Sequence, residues 1–74
     1  MYTVYSKDNC PYCVRAVTLL EIMGLPFQVL KLGEDVDLEE FKRDNPNIRS
    51  VPYILFNDEV IGGYDELSRR LADS

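Results

Sequence analysis

The chain has 74 residues, 46% hydrophobic and 28% charged, which suits one small domain spanning residues 1–74 and leaves no room for a second. Lys and Arg number 8 against 13 Asp and Glu, and a net charge of -5 excludes a protein that tracks a nucleic-acid backbone. No apolar run approaches the roughly 20 residues that span a bilayer, and Met1 leads directly into an alternating segment rather than a secretory leader, so a cytoplasmic protein with no membrane partner is expected.

Tyr2 to Ser6 alternates as a short strand, and Lys7-Asp8-Asn9 is polar turn material. Pro11 suits the first position of a helix, where its missing N–H costs nothing. Cys13, Ala16, Val17, Leu20 and Met23 recur at helical spacing and predict a buried stripe, with Gly24 at the C′ position and Pro26 as a stop. Phe27 to Leu32 reads as a second strand whose two faces are not cleanly polar and apolar, which predicts cover on both sides. Asp37-Leu38-Glu39-Glu40 opens a second helix in capping-box style, and Asn45-Pro46 stops it. Pro52 to Asn57 is an apolar strand, Asn57-Asp58-Glu59 turns into a brief fourth strand at Val60-Ile61, and Gly62-Gly63 breaks it. Tyr64 to Ala72 is the last helix, with acids first, arginines last, and Asp65/Arg69 and Glu66/Arg70 at ion-pair spacing. The order β-α-β-α-β-β-α predicts an α/β fold. It has a four-stranded mixed sheet with helices on both faces: one parallel pair from the βαβ unit and one antiparallel hairpin.

Cys10 and Cys13 are the only cysteines, and there is no histidine. A disulfide between them closes a very short ring, worth about 2 kcal/mol on the chain-entropy model, so a purely structural bridge gains little. Zinc needs four ligands, which two cysteines without histidine do not supply. With Pro11 at N1, Cys10 is the N-cap and its sulfur faces the free N–H groups and positive dipole of the first turn, which favours thiolate. Cys13 falls on the apolar stripe. The asymmetry predicts that Cys10 attacks and Cys13 resolves, and a C-x-x-C beside a βαβ pattern is a dithiol redox signal.

Three segments then carry a family resemblance: Cys10-Pro11-Tyr12-Cys13 after the first strand, Ser50-Val51-Pro52, and Gly62-Gly63-Tyr64-Asp65-Glu66-Leu67, with Ala16 and Leu19-Leu20 matching as well. On these, over essentially its whole length, the chain resembles the dithiol glutaredoxins. The resemblance implies the thioredoxin-like (glutaredoxin) fold and a glutathione-dependent thiol–disulfide oxidoreductase that reduces protein disulfides and glutathione mixed disulfides. It would use glutathione as reductant and no metal, and nothing in the sequence suggests more than a monomer. Ribonucleotide reductase is a client the family suggests.

The same resemblance assigns a glutathione site. Val51 would offer backbone groups to an extended peptide, although alone it reads as a core valine. The bond before Pro52 is implied to be cis and to face the cysteines. Gly63 would let backbone approach the ligand, and the N–H groups of Tyr64 and Asp65 would hold the γ-glutamyl carboxylate. Asp65 would also meet its amino group, although alone it is a good helix-start acid. Lys7 would meet the glycyl carboxylate, Tyr12 would line the groove, and Arg49 is a further candidate for a carboxylate. Lys7, Arg15 and Arg49 are the positive charges available to offset the acidic surface.

Ser50 stands where the family more often has Thr, Asn47 where many members have Gly, and the chain is short around the second helix. Two rival readings share the fold: an electron donor served by thioredoxin reductase, against which the Gly62-Gly63 segment speaks, and an iron–sulfur carrier, which Pro11 disfavours.

Overall fold

The computed structural model describes residues 1–48 and 50–73. The elements are β1 (Tyr2–Ser6), α1 (Pro11–Ile22), β2 (Phe27–Lys31), α2 (Leu38–Asp44), β3 (Tyr53–Phe56), β4 (Glu59–Gly62) and α3 (Tyr64–Ala72), in the predicted order. They form one sheet in the order β2-β1-β3-β4. β1 runs parallel to β2, and β3 runs antiparallel to both β1 and β4.

Alternation along β1 sorts the two faces. Tyr2 and Val4 are buried with Ala16 and Leu20 of α1, Ile54 of β3, and Leu67 and Leu71 of α3. Tyr5 points the other way, its ring 4.8 Å from the ring of Phe41, the buried residue of α2. Helices therefore cover both faces, α1 and α3 on one and α2 on the other. This is the thioredoxin-like α/β fold, and no helix among the described residues is long and apolar enough to cross a membrane.

Local chemistry sets the helix ends. At the end of α1 the Gly24 N–H donates to the Glu21 carbonyl and the Leu25 N–H to the Leu20 carbonyl, both at 3.0 Å, a Schellman turn with Gly24 at φ 68°. A Cβ at Gly24 would meet nothing within 4 Å, so only backbone strain opposes a side chain there. Gly24→Ala is therefore expected to cost about 1 kcal/mol, read as a lower urea midpoint at unchanged slope. Asp37 caps α2, its carboxylate accepting from the Glu40 N–H at 3.0 Å.

The structure corrects several expectations. Met23 is not part of the buried stripe but 46% exposed, because it is the C-cap and the helical period ends before it. β2 is not covered on both sides. It is an edge strand paired only with β1, with Gln28 and Val29 exposed, and it ends at Lys31 rather than Leu32. The ion pair expected between Glu66 and Arg70 is replaced: Arg70 reaches Glu59 at 3.6 Å and lies 5.0 Å over the Phe56 ring, and no Asp65–Arg69 pair forms among the described residues. β4 also runs on through Gly62, and β3 starts at Tyr53, after Pro52.

Candidate active site

The antiparallel pairing of β1 and β3 sets Tyr5 opposite Tyr53. The loop after β1 and the segment before β3 therefore meet at one end of the sheet. The first carries Cys10, the second Val51 and Pro52.

Cys10 is the N-cap of α1 in extended conformation, Pro11 follows at N1, and the Cys10 sulfur accepts the Cys13 N–H at 3.3 Å. The two cysteines form a disulfide with Cα atoms 5.3 Å apart. Cys10 is half-buried and Cys13 only 4% exposed, the asymmetry expected from the helical stripe. The Cys10 Sγ lies 3.7 Å from the Val51 carbonyl oxygen, and the Val51–Pro52 bond is cis. That is the isomer and the orientation the family resemblance implies.

A groove of about 570 Å³ opens beside this pair, and six of the predicted residues line it together: Tyr12, Val51, Pro52, Gly63, Tyr64 and Asp65. Tyr12 and Tyr64 bring α1 and α3 to the same wall, their rings 6.1 Å apart, and the Arg15 guanidinium sits 5.2 Å over Tyr12. The far wall is backbone. Gly62 has φ 120°, and a Cβ there would come within 3.0 Å of Glu66 Cγ. A Cβ at Gly63 would lie 3.6 Å from the Pro52 carbonyl, an ordinary contact, so it is Gly62, at positive φ and tight against Glu66, whose lack of a side chain the turn requires. α3 begins at Tyr64, and Tyr64 and Asp65 of its first turn line the groove; the first-turn N–H groups of a helix have no intrahelical partner.

Lys7 is exposed and lines not this groove but two neighbouring ones, the first shared with Cys10 and the second with Ser50 and Val51. Arg49 lies outside the described residues. Among the described residues no group of three or more His, Cys, Asp or Glu is placed to hold a metal ion.

Sequence reasoning missed Glu66 as a site residue. Its carboxylate accepts the Gly63 N–H at 3.2 Å, which holds the turn shut from inside the groove wall. Its position three residues after the N-cap glycine was the available signal. Ser50 and Tyr53, flanking the Val51-Pro52 pair, also line the groove.

A family model described as Glutaredoxin matches residues 2–61. A probable glutaredoxin of Synechocystis sp. is 35% identical over 65 residues, covering 86% of this chain and 74% of the relative. Glutaredoxin 3 of Escherichia coli is 36% identical over 64 residues, covering 86% of this chain and 77% of that protein. Among solved structures, the crystal structure of a buckwheat glutaredoxin–glutathione complex superposes with a TM-score of 0.81 at 26% identity, over 97% of this chain and 68% of the other. The likeness thus runs through the dithiol, the sheet that carries it and most of each relative's length, and the chain belongs to the glutaredoxin family.

Proposed function

We propose that the glutathione-dependent thiol–disulfide exchange of this family runs here through Cys10 as the attacking thiol and Cys13 as the resolving one. The observation that carries the assignment is the sulfur of Cys10 at the head of α1, accepting the Cys13 N–H at 3.3 Å while Cys13 itself is buried. A charge on Cys10 is supported by that N–H and by the helix dipole; a charge on Cys13 has no such position.

The thiolate of Cys10 attacks one sulfur of a client disulfide, forms a mixed disulfide, and expels the other client sulfur as thiolate. The Cys13 thiolate then attacks Cys10, releasing the second client sulfur and closing the Cys10–Cys13 disulfide. One glutathione thiolate reopens that bridge by bonding to the Cys10 sulfur and expelling Cys13. A second attacks the glutathione sulfur, frees Cys10 and leaves as glutathione disulfide. Two glutathiones supply the two electrons. On a glutathionylated client, Cys10 takes up the glutathione directly and a second glutathione clears it.

The proposed glutathione site is the groove of Tyr12, Val51, Pro52, Gly63, Tyr64 and Asp65, with Lys7 of the neighbouring grooves as a cation for the glycyl carboxylate; Arg49 stays a candidate from the sequence alone. The buckwheat relative of the same fold is described in complex with glutathione, which supports this reading. Its clients are disulfide-containing or glutathionylated proteins, of which ribonucleotide reductase is one the family suggests, and it works in the cytoplasm.

Turnover of a small glutathione mixed disulfide, coupled through glutathione reductase to NADPH, tests the reading. Activity is expected with glutathione. Activity only with thioredoxin reductase would overturn it. Asp65→Ala removes the carboxylate proposed to meet the ligand's ammonium group, so the KM for glutathione should rise about tenfold with kcat little changed. An unchanged KM would remove Asp65 from the site.

A further inference from the structure

The parallel register of β1 and β2 sets Lys31 opposite Ser6, where both strands end. From Ser6 the chain runs through Asp8 and Asn9 to Cys10, and Asn9 takes the left-handed conformation at φ 57°. Lys31 reaches across to this loop, its Nζ 2.7 Å from Asp8 Oδ1. The lysine is held from behind: its N–H donates to Asp35 Oδ2 at 2.9 Å, and Glu34 lies 3.9 Å from its Nζ. Asp8 is the carboxylate nearest to Cys10 along the chain.

We propose that Lys31 is a positioning residue for thiol–disulfide exchange, acting through Asp8 to neutralise the carboxylate beside Cys10 and so keep the Cys10 thiolate favoured. The inference rests on the reading of Cys10 as the attacking thiol.

The charged groups facing the groove into which Cys10 opens on this side are Lys7 and Asp8 from the loop, Glu21 from α1 and Lys31 from β2. A negative charge near a thiol disfavours the thiolate, and a positive one favours it. With Lys31 in place, Asp8 is paired and the two contribute little net charge. With Lys31 neutral, the groove that Cys10 shares carries Asp8 and Glu21 with Lys7 alone opposing them. The Lys31 ammonium is itself held above its ordinary pKa, first by its hydrogen bond to Asp8 and then by the charges of Asp8 and Glu34. It therefore stays protonated throughout the range in which a thiol titrates. The pair is solvent-exposed, so its contribution to folding is small and its variants should fold.

The test titrates Cys10 alone, in a Cys13→Ser background, by iodoacetamide alkylation rate against pH at low salt. Lys31→Gln should raise the midpoint by about 0.3 pH unit and slow alkylation about twofold below it, the size expected for one charge roughly 10 Å away in water. Asp8→Asn should move the midpoint the other way by a similar amount, and Lys31→Arg should leave it unchanged. Salt near 1 M should shrink both shifts. Opposite signs are the deciding readout, because a latch that merely kept the loop ordered would shift both variants in one direction. Shifts of the same sign, or none, would overturn the inference. Mass spectrometry of the reduced two-cysteine protein separates this from failure of the underlying role: Cys13 alkylated before Cys10 would overturn the assignment of the attacking thiol, and the inference with it.

Discussion

Cys10→Ser should abolish turnover of a small glutathione mixed disulfide, while Cys13→Ser should keep it within about tenfold of the parent. The first variant lacks the sulfur that carries each mixed disulfide of the cycle. The second loses only the intramolecular resolving step, which a glutathione thiolate replaces from solution. With a protein disulfide as substrate the two variants should converge, because a mixed disulfide between Cys10 and a client then has no neighbouring thiol to release it. The comparison needs the coupled NADPH assay with both substrates. Activity that survives loss of Cys10 and dies with Cys13 would reverse the assigned roles. The expectation has a structural basis in the different exposure of two cysteines on one helical turn, Cys10 half-buried and Cys13 only 4% exposed.

Leu67→Ala should lower the unfolding free energy by about 3 kcal/mol, since burial this complete leaves a cavity as well as a lost transfer term. Leu67 is 0% exposed and belongs to the same cluster as Val4, Leu20 and Ile54. For a domain of this length total stability is on the order of 4–11 kcal/mol, so one such truncation removes a large share of it. The melting temperature should fall by roughly 15 °C. Val60→Ala on β4, 57% exposed, should stay within about 0.5 kcal/mol and serves as the control. The consequence for function follows from place. Leu67 lies on the first turns of α3, whose start at Tyr64 and Asp65 lines the groove. A glutathione KM that rises in the folded fraction of Leu67→Ala would tie groove geometry to this anchor. A loss of less than about 1 kcal/mol would mean that the core closes over the deletion.

Much of the site was legible because its parts are local. Pro11 after Cys10, with Cys13 one turn on, specifies an N-cap and a short dithiol through interactions within four residues. Gly24 after Met23 specifies the end of α1 in the same way, through a backbone conformation that side chains resist. The hairpin and the start of α3 follow from Asn57-Asp58 and Gly62-Gly63. The cis bond at Pro52 was legible only through family resemblance, since the residues alone favour trans.

What residue pattern left open depends on which strands become neighbours. Periodicity assigns Phe27–Lys31 to a strand but says nothing of its place in the sheet, and β2 proved to be an edge with one partner. Spacing along a helix offers Arg70 to Glu66, yet folding brings Glu59 and the Phe56 ring to that arginine, and Glu66 turns instead to the Gly63 N–H. Val51 comes to Cys10 across 41 positions of chain. Lys31 comes to Asp8 because two parallel strands end side by side. The local contacts are settled by backbone geometry over a few residues, whereas the distant ones arise from the packing of the whole sheet. The chemistry at Cys10 draws on both: its helix cap is written in adjacent residues, and the charges and carbonyl around it are assembled by the fold.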